Sequence, residues 1–265
     1  MPQRLDAALV ARGLVPSRTR ATRLIGEGRV SVDGRTVLKA SAPVDESADV
    51  RVAELDHYVS RGAHKLIAAL DAFGIGATGR LALDAGASTG GFTQVLLERG
   101  ARRVLAIDVG HGQLANPLRL DPRVVNIEGV NLRALTPAQL AHLAKSPERP
   151  DLVAADLSFI SLTQVLSALV ESAAPGSDFV LLVKPQFEVG RQGVREGIVR
   201  DGGLRADAVA NVLWAGHDLG LRVAGLIPSP LVGTHGNREF LAHLTASAGT
   251  HPTEWLDTIA SIAGG

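Results

Sequence analysis

The pattern of apolar and polar positions changes character along the chain. Leu5, Leu9 and Val10 fall at helical spacing near the start. Pro16-Ser17 then supplies a turn and an N-cap, and Ala21, Leu24 and Ile25 form the apolar stripe of a second short helix ended by Gly26 and Gly28. Val30 and Val32 alternate with polar neighbours, Asp33-Gly34 is a hairpin signal, and Val37 falls on the return strand. Val50 and Val52 mark a further strand. The pattern breaks at Glu54 to Tyr58, a linker candidate. From Leu81 onward short apolar runs alternate with helix-length stretches. The strand candidates are Leu81–Leu83, Val104–Ile107, Leu152–Ala154, Phe179–Val183 and Val223–Ile227. Thr93 to Arg99 and Ser161 to Ser172 are helix-length segments between them. This alternation predicts βα units and a parallel sheet.

Composition narrows the choices. The 265 residues are 46% hydrophobic, enough for a sizeable core, and contain no cysteine. Disulfide scaffolds, thiol catalysis and Cys-ligated metal sites are therefore excluded. No apolar run approaches the roughly 18 residues of a membrane-spanning helix. The N-terminus leads into no signal-type stretch, so a cytoplasmic protein without membrane partners is expected. Histidines form no His-x-x-x-His pair, and no metal is expected.

The formal net charge of zero conceals an asymmetry. Residues 1–39 hold eight Arg/Lys against three Asp/Glu, and the remainder holds 19 against 24. A basic head on a mildly acidic body suggests an anionic partner such as nucleic acid. Arg4, Arg18, Arg20 and Arg23 are the phosphate-binding candidates, with a solvated helix face as the plain alternative. Aromatics make up 3% of the chain, too few for an extensive base-stacking platform, so recognition of RNA shape is favoured.

The strongest motif is Asp84-Ala85-Gly86-Ala87-Ser88-Thr89-Gly90-Gly91-Phe92, which follows a strand and opens a helix. Glycines there let a ligand approach the backbone, and the helix start offers free N–H groups. A Walker-type phosphate loop is ruled out because Gly-Phe-Thr stands where Gly-Lys-Ser/Thr is needed. A dinucleotide fingerprint and an S-adenosylmethionine loop remain. Asp84 suits the cationic methionine ammonium, and Asp108, ending the next strand, can accept both ribose hydroxyls of an adenosine. The two acids favour the sulfonium cofactor over NAD. Asp156 and Lys184 end two further strands and are expected to converge on the same crevice. A structural salt bridge is the alternative for that pair.

Taken together, these segments carry a family resemblance. From Arg4-Leu5-Asp6 to Val32-Asp33-Gly34 the head resembles the S4 RNA-binding domain, and the body resembles the FtsJ-like ribose methyltransferases. With Ser60-Arg61-Gly62-Ala63-His64-Lys65, Ala155 to Leu162 and Val183 to Glu188, the whole chain resembles the TlyA family of ribosomal RNA cytidine 2′-O-methyltransferases, also described as haemolysins. The resemblance implies a Rossmann-like α/β methyltransferase domain at 60–265, an α+β S4 domain at 1–55 and a linker at 56–59, with Tyr58 where the family usually has Trp. It implies S-adenosyl-L-methionine as cofactor, ribosomal RNA or ribosomal subunits as partner, and a catalytic tetrad of Lys65, Asp156, Lys184 and Glu239. Asn131 joins the cofactor set. Phe159 would stack on the cofactor or a flipped base, or simply pack in the core.

A free lysine, with a pKa of about 10.4, is a poor base unless burial or a neighbouring cation lowers it. Lys184 is the expected base or hydroxyl-orienting group and Lys65 the neighbouring cation, with Asp156 and Glu239 holding both. Rival readings are a non-catalytic ribosome-assembly factor, a membrane-active haemolysin, and a methyltransferase acting on protein or a small molecule.

Overall fold

The computed structural model describes residues 3–26, 28–52, 57–190, 193–233 and 236–264. The chain divides into two compact units, Met1–His57 and Tyr58–Gly265. The expected boundary between residues 55 and 56 lies outside the described residues.

The head contains β1 (Gln3–Arg4), α1 (Leu5–Ala11), α2 (Arg18–Gly26), β2 (Val30–Val32), β3 (Arg35–Thr36), β4 (Pro43–Val44) and β5 (Val50–Val52). Leu5, Leu9, Ala21, Leu24 and Ile25 from the two helices bury against Val30, Val44 and Val50. Ser17 Oγ accepts from the Arg20 amide at 3.3 Å and so caps α2. Asp33 and Gly34 both take positive φ, at 50° and 77°, which the tight turn between β2 and β3 requires. The pairing of β1 with β4 has no counterpart in the sequence pattern, because two-residue strands carry no measurable period. Asp6 is buried at the start of α1. Its carboxylate accepts from Arg4 Nε at 3.1 Å, Arg18 Nη2 at 2.9 Å and the Ala7 amide at 2.9 Å.

The body contains α3 (Gly62–Phe73), β6 (Leu81–Ala85), α4 (Gly91–Glu98), β7 (Arg103–Ile107), α5 (Asn116–Arg119), β8 (Val124–Ile127), α6 (Pro137–Ala144) and β9 (Leu152–Ala155). It continues with α7 (Leu166–Ser172), β10 (Asp178–Val183), α8 (Pro185–Glu188), α9 (Gly202–Asp218), β11 (Arg222–Pro228), β12 (Phe240–Thr245) and α10 (Leu256–Gly264). Seven strands form one sheet in the order β11-β12-β10-β9-β6-β7-β8. Strand residues alternate between two cores. Leu81, Leu83, Leu105, Val153 and Leu181 face one side with α6, α7, α9 and α10. Ala82, Val104, Ala154, Val180 and Leu182 face the other with α3 and α4. Covering both faces explains why these strands read as continuous apolar runs.

Two expectations need correction. The sheet is mixed rather than wholly parallel: β12 runs antiparallel to both β10 and β11. Hydrophobic spacing reports burial, not strand direction, so the reversal was invisible in the pattern. The segment Ser161 to Ser172 is not one helix. Ser161 caps a 3-10 turn at Leu162–Gln164, and α7 begins only at Leu166.

The two arginines hold the Asp6 carboxyl well below the usual carboxylate range. Asp6 therefore stabilises the head above about pH 4, where an unfolded aspartate is ionised, and that contribution is lost as the pH falls further. The protection factors of the α1 amides, corrected for the intrinsic pH dependence of exchange, should fall on acidification below pH 4 in the native chain. In Asp6→Asn they should already be low at neutral pH and change little with pH.

Candidate active site

The strand order reverses at β6, which has β7 on one side and β9 on the other. A ligand crevice is expected beyond the carboxyl ends at such a switch point. The register assembles it. Ala85 pairs with both Ile107 and Ala155, so Gly86, Asp108 and Asp156 are the first residues past the paired rim. Val183 pairs with Phe240, and because β12 is antiparallel this puts Glu239 beside Lys184 at the same rim.

Two cavities open there, of about 270 Å³ and about 620 Å³. Gly86, Ser88, Asp156 and Ser158 line both, so they are two arms of one crevice. The smaller arm is bounded by Lys65, Lys184 and Glu239 and by Ala87, Thr89, Gly91 and Phe92 of the glycine loop. Lys65 Nζ is ion-paired with Glu239 Oε2. Lys184 Nζ lies 2.6 Å from Asp156 Oδ1 and 3.0 Å from Ser158 Oγ. Both lysines and Glu239 are buried, and each lysine has its own carboxylate. The four residues come from α3, the ends of β9 and β10, and the start of β12.

The larger arm has Asp108, Gln113, Asn131 and Arg133 among its polar groups and Val130, Leu132 and Ile160 among its apolar walls. Asp108 Oδ2 accepts from the Ser88 amide at 2.8 Å and Oδ1 from the Gly110 amide at 2.7 Å. Each carboxylate oxygen keeps a second lone pair, so Asp108 holds the loop and can still accept from a diol. Asn131 Oδ1 caps a short helical turn through the Arg133 amide. Gly86 has φ of 88°, and a Cβ there would lie 2.6 Å from the Asp156 carbonyl oxygen. The loop can therefore lie this close to the Asp156 backbone only with glycine at that position. Gly90 packs instead against Leu114 and Leu118, away from the cavity.

Asp84 is placed differently from the expectation. It is fully buried, lines neither cavity, and accepts from Thr93 Oγ1 at 2.6 Å. Alternation along β6 turns it to the same side as Ala82, towards α4. It braces the glycine loop from beneath through Oδ2, while its buried Oδ1 has no partner among the described residues. Burial pushes its carboxyl up to about 7, against the Thr93 hydrogen bond, with Asp156 and Asp108 adding to the rise.

Phe159 is 91% exposed at φ of 64°, which excludes core packing. Its ring lies 5.3 Å from that of Phe187. Sequence reasoning passed over Ser158, although it stands inside a quoted motif, and over Gln113, whose Oε1 accepts from Ser88 Oγ at 3.1 Å. In the head, Arg20 is half-buried and Arg23 exposed on α2. Arg4 and Arg18 are exposed but tied to Asp6, so part of their charge is spent internally.

Fold and crevice together define the class, a doubly wound α/β domain that receives its ligand at the switch point of the sheet. Residues 58–246 match the model of FtsJ-like methyltransferases, and residues 3–50 that of the S4 domain. The 16S/23S rRNA (cytidine-2′-O)-methyltransferase TlyA of Mycobacterium tuberculosis is 52% identical over 91% of this chain and 89% of its own. Hemolysin A of Brachyspira hyodysenteriae is 37% identical over 91% of this chain and 98% of its own. A solved hemolysin-named structure from Streptococcus thermophilus superposes with a TM-score of 0.76 at 37% identity, covering 98% of this chain and 95% of that one. The chain belongs to the FtsJ-like methyltransferase family, in its S4-bearing TlyA branch.

The Asp84 assignment carries a pH signature. An unfolded aspartate loses its proton near pH 4, whereas the folded one keeps it to about 7, so this group makes stability fall as pH rises through that window. The melting temperature of Asp84→Asn minus that of the native chain should rise between pH 5 and 8 and level off above.

Proposed function

We propose that this protein transfers a methyl group from S-adenosylmethionine to the ribose 2′-hydroxyl of a cytidine in ribosomal RNA. The observation that carries the reading is the convergence of two lysine–carboxylate pairs, both lysines buried, and the glycine loop on one crevice. The residues fit the cofactor. The larger arm has apolar walls for a flat heteroaromatic ring and Asp108 and Asn131 for polar edges. Acidic groups at 108 and 156 suit a cationic donor. Gly86 to Phe92, Asp108 and Asn131 would hold it; when bound, it supplies an electrophilic methyl on a sulfonium.

Lys184 orients the 2′-hydroxyl and stabilises the negative charge that develops on its oxygen, and the released proton passes to the Asp156 carboxylate or to water. Asp156 and Ser158 fix Nζ for that task, and Glu239 fixes Lys65 at the opposite wall. Alignment of nucleophile and methyl supplies much of the acceleration. Phe159, exposed at the mouth, offers a ring face for stacking on the target base. The S4 unit supplies grip through Arg4, Arg18, Arg20 and Arg23, which meet phosphates and fix register. Relatives named for both 16S and 23S rRNA and for 23S rRNA alone make both subunits the substrates to test. A ribosomal substrate implies a cytoplasmic site of action.

Incubation with 30S, 50S and 70S particles and labelled cofactor, followed by mapping of the methylated nucleotide, tests the reading. Lys184→Ala should lower methyl transfer by about 10²- to 10⁴-fold while calorimetry shows retained cofactor binding. A near-native rate would overturn the assignment. Reversing Arg18, Arg20 and Arg23 to Glu should raise the RNA dissociation constant by about tenfold or more at low salt and leave cofactor affinity unchanged.

A further inference from the structure

The loops after β9 and β10 carry Asp156 and Lys184, and strand pairing between them stops at Ala155 and Leu181. Beyond that point side chains join them, in three successive contacts. Lys184 meets Asp156 and Ser158. Phe187 meets Phe159. Glu188 closes the series: its Oε2 accepts from Ser161 Oγ at 2.5 Å and its Oε1 from the Leu162 amide at 2.8 Å.

Between the first and last contact lies Phe159, with its left-handed backbone and exposed ring. A non-glycine residue in that region is strained and persists only where its surroundings hold it. The Lys184 and Glu188 contacts are the two ends that hold this loop. Glu188 lines neither cavity, so it touches neither reacting group. Burial pushes its carboxyl upward in pKa, against the two hydrogen bonds, so keeping a carboxylate here is costly. A purely structural role could be filled by an apolar side chain without that cost.

We propose that Glu188 is a positioning residue for methyl transfer: by anchoring Ser161 and Leu162 it fixes Asp156 and Ser158 against Lys184. The inference rests on the reading that Asp156 and Lys184 carry the reaction.

The test uses the full chain with ribosomal subunits as substrate and S-adenosylhomocysteine as the calorimetric probe. Glu188→Ala should lower kcat by about tenfold or more, with KM for the subunit and probe affinity each within about threefold of native. Exchange of the Leu162 amide should accelerate. Glu188→Gln, whose amide oxygen can still accept from Leu162, should recover most of the rate. In an Asp156→Asn background, Glu188→Ala should cost little more, because the two act as a unit. Native kcat in Glu188→Ala, or a rate loss that Gln does not recover, overturns the inference. If the alanine variant does not fold, Ser161→Ala decides: a lower kcat with intact probe affinity supports the proposal, and a native rate overturns it. Lys184→Ala run in parallel separates the two levels. An inactive Lys184→Ala beside a fully active Glu188→Ala removes only the role of Glu188. An active Lys184→Ala removes the underlying reading as well.

Discussion

Strand register at one rim of the sheet is the constraint on which the rest depends. Ala85 lies level with Ile107 and Ala155, and Val183 with Phe240. The Asp156 amide donates to the Ala85 carbonyl at 3.1 Å, and the Gly86 amide to the Ile107 carbonyl at 2.8 Å. These backbone bonds, not any side chain, bring residues 86, 108, 156, 184 and 239 to a common edge. A one-residue slip would exchange the two faces of a strand and bury polar groups in both apolar cores, so the packing on either side locks the register.

On that edge the electrostatics are divided between the arms. One holds two compact ion pairs, with Asp156 half-buried and the other three members buried, each lysine matched to its own carboxylate. Such pairs gain little net stability over apolar replacements, yet removing one member strands a buried charge at a cost of roughly 3–5 kcal/mol. Their retention is best understood as fixing four side chains in one geometry. The other arm has apolar walls, with Asp108 serving two backbone amides and still open to a ligand. Asp84 beneath the loop, its carboxyl pushed up to about 7 by burial, carries only part of a charge near neutral pH beside Asp108 and Asp156.

Much of this was legible in the chain. The glycine loop is a contiguous motif whose backbone demands are local, and five of the seven body strands stood out as apolar runs. What escaped depended on relations between distant segments. Val124–Ile127 contains Asn126 and is only partly buried at the sheet edge, so it made no apolar run. Phe240–Thr245 is interrupted by His243, and its direction follows from its neighbours, not from its own spacing. The burial of Asp84 beneath the loop was not legible, because motif position gives proximity without giving side-chain direction. Counting alternation from buried Ala82 would have turned it towards α4. The basic head was readable as charge, but the share of Arg4 and Arg18 taken up by Asp6 required the fold.

The sheet order has a kinetic corollary. Strand β12 lies between β10 and β11, although both precede it in the chain. Until it enters, β10 has an open edge, β11 has no partner in the sheet, and Lys65 lacks Glu239, 174 residues away. Such distant closure demands chain entropy before it returns any contact, and it is slow. During synthesis, then, this crevice closes only once β12 has emerged and Glu239 can reach Lys65.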